Sequence, residues 1–524
     1  NPLKQLAGET AVYGLSTILA RIINFLFVPF YTRLLTTANY GVVTEFMAYI
    51  AVLQVVLTMG LETGCFRFAN KEGAQPNRVY SSALAMVSGV SLGFFALMVV
   101  FAEPLAHLLG YDGYGSCMVY MGGILALDSI TAILFAKLRQ EHRAVKFAVF
   151  KTLKILVETG ANILLFFPFV SLCSRRAAAL GVDVSALTPS DVWLLHFVSP
   201  TPDFSYVIFA ILLSCIVCAL LFIPDLVRLN FEFDGKLLHR MLVYSLPLMV
   251  AALPGIVNDF LDRILFRFLD TNAEQWQSSL GIFQAAVKLA VIMNLFIQMF
   301  RFAAEPFFFQ RAKDKGSKEL YARVMELFTA FCALVFLGVI FYIDIISLLL
   351  GRDFRSGVGV VPIMLFSYMV LGMLFNVSMW YKLSGKTNMA IWITSAGLVV
   401  TLVVNLVFMP KYSYWAAAFG HLASYVVMFV LSAVLGQKYW PVPYRWGRIL
   451  GTLALMFLFY GLASLADTHL FHFAGWDTDR HLLWWKLGVH TVLLLGYLLS
   501  AWALLRKGIA PGAGDGSDVG AVRQ

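Results

Sequence analysis

Long apolar blocks separated by short polar punctuation make up nearly the whole chain. Stretches such as "VSGVSLGFFALMVVFA" and "LLSCIVCALLFI" run on without the alternation a barrel strand would show. The blocks are about 20 residues long, the length a helix needs to cross hydrocarbon, and a helix satisfies its own backbone there. Fourteen spans are predicted, near 8–30, 41–63, 80–102, 116–137, 146–170, 204–224, 237–260, 279–303, 326–350, 358–381, 389–409, 414–436, 447–466 and 482–505. The expected fold is an all-α polytopic membrane protein.

Composition agrees. Of 524 residues, 60% are hydrophobic and only 13% charged, about half the charged share of a soluble domain. Lys and Arg collect in alternate connections, among them "KLRQEHRAVK", "QRAKDKGSKELYAR" and "YKLSGK". By the positive-inside rule that side, with both termini, is cytoplasmic. No basic run is interleaved with aromatics, so the net charge of +9 gives no reason to expect nucleic acid. The first apolar segment is full-length and holds Arg21, unlike a cleavable leader. Cys215 and Cys218 mimic a redox pair but sit inside a span, where thiols are packing residues.

Two halves resemble each other. Setting residues 41–71 over 281–311 aligns Gly41 with Gly281, Gln54 with Asn294 and Thr58 with Gln298. Later, "FAKLRQEHRA" before Asn162 and Pro168 parallels "WYKLSGKTNM" before Asn405 and Pro410. Six spans separate the matching elements, which predicts parallel repeats with a substrate site between them. The expected division is a first lobe (1–230), a second lobe (231–440), two further spans (441–507) and a disordered cytoplasmic tail (508–524). The two lobes would be pseudo-symmetric six-helix bundles.

Candidate chemistry lies inside the spans. In "QAAVKLAVIMNLFIQMFRFAAEP", Gln284, Lys288, Asn294, Gln298, Arg301 and Glu305 fall within about 140° of one helical face. Lipid-facing scatter does not do that, so the stripe faces a cavity or protein interior. Arg21 and Asn24 share a face in the first span, followed by Pro29, which invites a bend. In the fifth span Lys154 and Glu158 face a cavity or else, like Lys151, snorkel. Glu45 and Asp128 are isolated acids in the second and fourth spans. Glu45, Asp128, Glu158 and Glu305 are candidates for ion coupling or for pairing with the cations. Asp259 and Arg263 are spaced for an ion pair within their helix, near the outer interface. His469, His472 and His481 with Asp467, Asp477 and Asp479 crowd one loop at spacing too loose to define a metal site. Trp440, Trp484 and Trp485 are interface anchors. No phosphate loop, dinucleotide fingerprint or nucleophile elbow occurs, so no enzyme, metal or cofactor is expected. Buried cations instead await an anionic cargo, and Arg suits phosphate through forked hydrogen bonds.

The segments "GLSTILARIINFLFVPFYTRLLTTANYGVVTEF" and "YKLSGKTNMA…VVNLVFMPKYSYWAAAFGHLASYVV" resemble the Wzx-type polysaccharide flippases, although "SYW" replaces the family's common Gly-Ile-x-Gly. That resemblance, over residues 1–440 or so, implies membership of the multidrug/oligosaccharidyl-lipid/polysaccharide exporter superfamily. It implies two six-helix bundles around a cavity, alternating access, and an undecaprenyl-pyrophosphate-linked oligosaccharide, such as an O-antigen unit, moved across the bacterial inner membrane. Arg21, Asn24, Lys154, Lys288, Asn294, Gln298 and Arg301 would then hold the head group. Membrane lipids and the polymerase and glycosyltransferases of the same pathway are the implied partners. A lipid II flippase is the alternative, ahead of a drug exporter or a polytopic glycosyltransferase.

Overall fold

The computed structural model describes residues 14, 16, 18–70, 75–272, 274–311, 316–471 and 480–506. We number its long helices α1 (18–34), α2 (Thr37–Ala69), α3 (Pro76–Val100), α4 (Gly115–Gln140), α5 (Ala144–Leu180), α6 (Phe204–Val227) and α7 (Gly235–Leu269). There follow α8 (Trp276–Arg311), α9 (Ser317–Phe341), α10 (Arg352–Leu383), α11 (Asn388–Tyr412), α12 (Tyr414–Tyr439), α13 (Trp446–His469) and α14 (Arg480–Arg506). Thirteen helices among the described residues are long and apolar enough to cross a membrane, and the first expected span falls partly outside the described residues. The protein is an all-helical, multi-pass membrane protein.

Several helices start at caps the sequence supplies. The Thr36, Asp203 and Asp234 side chains accept the backbone N–H groups of Asn39, Ser205 and Lys236, satisfying donors a helix start leaves open. Helices also outrun their apolar blocks. α7 continues through Pro247 and Pro254 to Leu269, and α8 ends at Arg311, so the expected loop from residue 304 begins as helix. α5 absorbs Pro168 in a π-turn, Leu165–Phe169, and continues to Leu180. The connection expected at 171–203 is therefore one-third helix. α1 breaks at Phe27 and resumes with Pro29 in its first turn, where proline lacks only an N–H that has no helical partner anyway.

Helices α2 to α6 pack on one another, chiefly α3 on α4, α2 on α4, and α6 on α4 and α5. A second set joins α8, α10, α11 and α12, with α7 laid along α11, while α13 and α14 pack on α9. α2 runs along α8 between the sets. One detail recurs in both sets. Asn162 and Asn405 are both fully buried, and each donates to the carbonyl four residues earlier, Glu158 at 2.8 Å and Thr401 at 2.9 Å.

One end of the bundle, here the upper end, is sewn shut. Gly41 of α2 and Gly281 of α8 cross so closely that a Cβ on either would stand 1.9 Å from the carbonyl oxygen of Gln277 or Thr37, respectively. Thr37 donates to Ser278 at 3.1 Å, Gly351 N–H to Thr32 at 3.0 Å, and Arg33 to the Leu348 carbonyl at 2.9 Å. These three hydrogen bonds link α1 and α2 to α8 and to the segment that leads into α10.

Candidate functional site

Below that seal, α7, α8, α10, α11 and α12 enclose a cavity of about 650 Å³, completed by Arg21 of α1. It extends from Lys382 and Ala390 near the lower end up to Phe283 and His421. Five basic side chains line it: Arg21, Arg263, Lys288, Arg301 and Lys382. Asp259 is the only carboxylate among its lining residues. With five cations to one carboxylate, the lining is electrostatically suited to an anion.

The stripe on α8 is the backbone of this wall. Gln284, Lys288, Asn294, Gln298 and Arg301 all line the cavity. Gln298 donates to Asn294 at 3.3 Å across one turn, and the Arg301 guanidinium stands 4.9 Å over the Phe375 ring. The Glu305 side chain lies outside the described residues. Among the described residues neither Arg21 nor Lys288 forms an ion pair, so the two share one chamber without a carboxylate held on either. Arg21 is exposed on its helix, as is Asn24, which is not among the lining residues.

Other candidates are occupied elsewhere. Lys154 does not reach the cavity. Its ammonium sits 2.5 Å from Asp128 Oδ1, which also accepts the Cys215 thiol at 3.3 Å, because α4, α5 and α6 close on one another there. Glu158 forms no ion pair among the described residues and lies off the cavity wall. Glu45 is fully buried and grips Arg267 of α7 with both oxygens, at 2.7 and 2.8 Å. Tyr49 donates to Glu45 at 2.9 Å, Tyr111 donates to it too, and Arg267 also donates to the Leu109 carbonyl. This cluster belongs to the upper seal.

Span spacing missed part of the site. Asp259 and Arg263 do not pair with each other. Tyr425 donates to Asp259 at 3.0 Å, and the Arg263 guanidinium lies 4.6 Å over Phe260. Both residues line the cavity, as do His421, Tyr425, Tyr368 and Lys382. Arg263 and Asp259 sit near the end of an apolar block, where charge is ordinarily interfacial, and only the extra turns of α7 bring them inside. Of the crowded loop, His472, Asp477, Asp479 and the side chain of His481 lie outside what the structure describes, whereas Asp467 pairs with Lys486 and His490 of α14. No group of three metal-binding side chains occurs among the described residues.

Comparison with known proteins gives three findings. Residues 6–190 match the family described as "Polysaccharide biosynthesis protein". A curated relative, the probable low-salt glycan biosynthesis flippase Agl15 of Haloferax volcanii, is 19% identical over 472 residues, covering 88% of this chain and 91% of that one. Among solved structures, the lipid II flippase MurJ in its inward closed conformation is similar, with a TM-score of 0.67 and 14% identity over 95% of this chain and 99% of that one. A MATE structure in complex with MaD5 follows at a TM-score of 0.51 and 12% identity, over 83% and 95% of the two chains. Along nearly its whole length the chain shares the fold of these solved structures, and over residues 6–190 it matches the polysaccharide biosynthesis family.

Proposed function

We propose that the protein is a flippase that carries a polyprenyl-diphosphate-linked oligosaccharide, of the undecaprenyl-pyrophosphate class, from the cytoplasmic to the outer leaflet of a bacterial inner membrane. One observation carries the reading: Arg21 from α1 and Lys288 from α8 meet in one cavity with no acid bound to either. Arg21, Lys288, Arg301 and Lys382 hold the diphosphate or acidic sugars while the lipid tail stays in the bilayer. Gln284, Asn294, Gln298 and Tyr368 offer hydrogen-bonding partners to sugar hydroxyls. The lower end, which carries the Lys- and Arg-rich connections, is the cytoplasmic one, so the sealed upper end makes this an inward-facing state. The membrane potential favours the export of an anion by about 2.3 kcal/mol per charge per 100 mV.

The test is translocation of lipid-linked oligosaccharide in vesicles by Arg21→Gln, Lys288→Gln and Arg301→Gln proteins. Loss in each at normal expression is expected, and wild-type rates in all three would end the proposal. A lipid II cargo is the second reading. It draws on the two helices beyond twelve and on the likeness to MurJ at 95% coverage, against 83% for the MATE structure. Supplying each cargo to the same vesicles separates the two.

A further inference from the structure

The cavity has a second chemical feature beside its cations. Toward its upper limit, α7 and α12 bring Asp262 and His421 together behind Asp259 and Arg263. Asp262 is fully buried and His421 is 6% exposed. Neither carboxylate oxygen of Asp262 accepts a hydrogen bond, Nδ1 of His421 has no partner, and His421 Nε2 stands 3.4 Å from Asp262 Oδ2. His421 itself lines the cavity. A carboxylate with both oxygens unsatisfied at full burial costs on the order of several kcal/mol unless something neutralises it.

The neighbours do not neutralise it. From α7, Asp259 faces the pair with a second negative charge and accepts from Tyr425, while Arg263 stacks on Phe260 and has its Nε unsatisfied. Lys288 of α8 and Tyr368 of α10 face the same cavity, and α2 contributes Tyr40. The α11 residues on the cavity wall, Ala390, Ile393 and Thr394, are uncharged. With His421 neutral, Asp259, Asp262 and Arg263 sum to −1. One added proton brings the cluster to zero. A metal ion fits less well, since hard cations gather several oxygens. The Asn258 carbonyl oxygen already accepts from Thr401 at 2.6 Å and Ser424 at 3.1 Å.

We propose that Asp262 and His421 form an exchangeable proton-binding site, loaded from water in the cavity and holding one proton between carboxylate and imidazole. The proton's arrival raises the cavity's charge by one and frees Arg263 from electrostatic competition by Asp262. If the cavity takes an anionic head group, as the flippase reading holds, that anion binds with proton uptake. By reciprocity acidification then tightens its binding.

Two measurements on the full chain in lipid nanodiscs test this. Difference infrared spectra between roughly pH 5 and 8, taken without cargo, should show a carboxyl band and imidazole bands that titrate together. Asp262→Asn should delete the carboxyl band, and His421→Gln should move its titration. Spectra unchanged in both variants would overturn the site, as would a band that answers to sodium at fixed pH. Should Asp262→Asn fail to fold, His421→Gln decides alone. The second measurement uses farnesyl diphosphate as the anionic probe. Its affinity should rise up to about tenfold per pH unit of acidification in the wild type and stay flat in His421→Gln. Binding indifferent to pH in the wild type would refute the coupling. Absence of binding at every pH would refute the anion-cavity reading, whereas the infrared result stands on its own.

Discussion

Arg21 and Lys288 differ in what they can offer a diphosphate. Arg21 presents a planar fork from an exposed position on α1, Lys288 a point charge from the wall of α8. A hydrogen bond to a charged group contributes about 1.5–3 kcal/mol, so removing either charge should weaken cargo binding about ten- to a hundredfold. Arg21→Lys should recover only part of the Arg21→Gln loss, because it restores charge without the fork; equilibrium binding of a polyprenyl diphosphate measures both. Glu45 makes a different prediction. Glu45→Gln leaves Arg267 gripping a neutral amide, and breaking a buried pair costs about 3–5 kcal/mol. The upper seal should therefore loosen, read as faster labelling of a cysteine placed at Ser278, and unchanged labelling would refute the lock. At this scale the sequence reveals a cation when several polar neighbours share its helical face, as on α8. Arg267 shares its helical face with Asp259 and Arg263, and neither is its partner. Its partners Glu45 and Leu109 are more than 150 residues away in sequence, and no helical wheel brings them together.

Helix α2 meets α8 at glycines for a steric reason. A methyl group at Gly41 would sit 1.9 Å from the Gln277 oxygen, and one at Gly281 as close to that of Thr37. Ordinary contact needs more than 3 Å, so Gly281→Ala must part the helices by over an ångström at their upper ends. The expected result is a population shifted away from the sealed state, seen as slower crosslinking between cysteines at positions 37 and 278. An unchanged crosslinking rate would mean that the crossing does not hold the seal. The existence of these helices was legible from apolar block length, because lipid demands it. Their ends were not. Pro168 is accommodated by a π-turn and α7 runs past Pro254, since neighbouring helices and local backbone adjustment can tolerate a proline that a soluble helix would not.

For the whole molecule, two of the residue pairs aligned by the weak internal repeat have counterparts in space. Gly41 and Gly281, aligned by sequence, meet in space, and Asn162 and Asn405 make matching hydrogen bonds. What the repeat could not disclose is that the halves diverge in chemistry. The first set ties Lys154 to Asp128, while the second arrays Arg263, Lys288, Arg301 and Lys382 along a cavity. Sidedness follows from the upper seal. All six native cysteines are buried, so a cysteine introduced at Ala390, half-buried on the cavity wall, should be the main reactive thiol. It should react with an impermeant maleimide added from the side bearing the Lys- and Arg-rich connections. Labelling from the opposite side alone would invert the assigned orientation.

The uneven split of basic residues has a mechanical consequence. Four of the five lining cations ride on α7, α8 and α10, and Arg21 alone comes from α1. On the flippase cycle we propose, a head group in the cavity would stay with the second half as a passenger when the halves tilt, and a single guanidinium contact would be all that must be exchanged. Release on the far side then depends on how firmly that one arginine holds on.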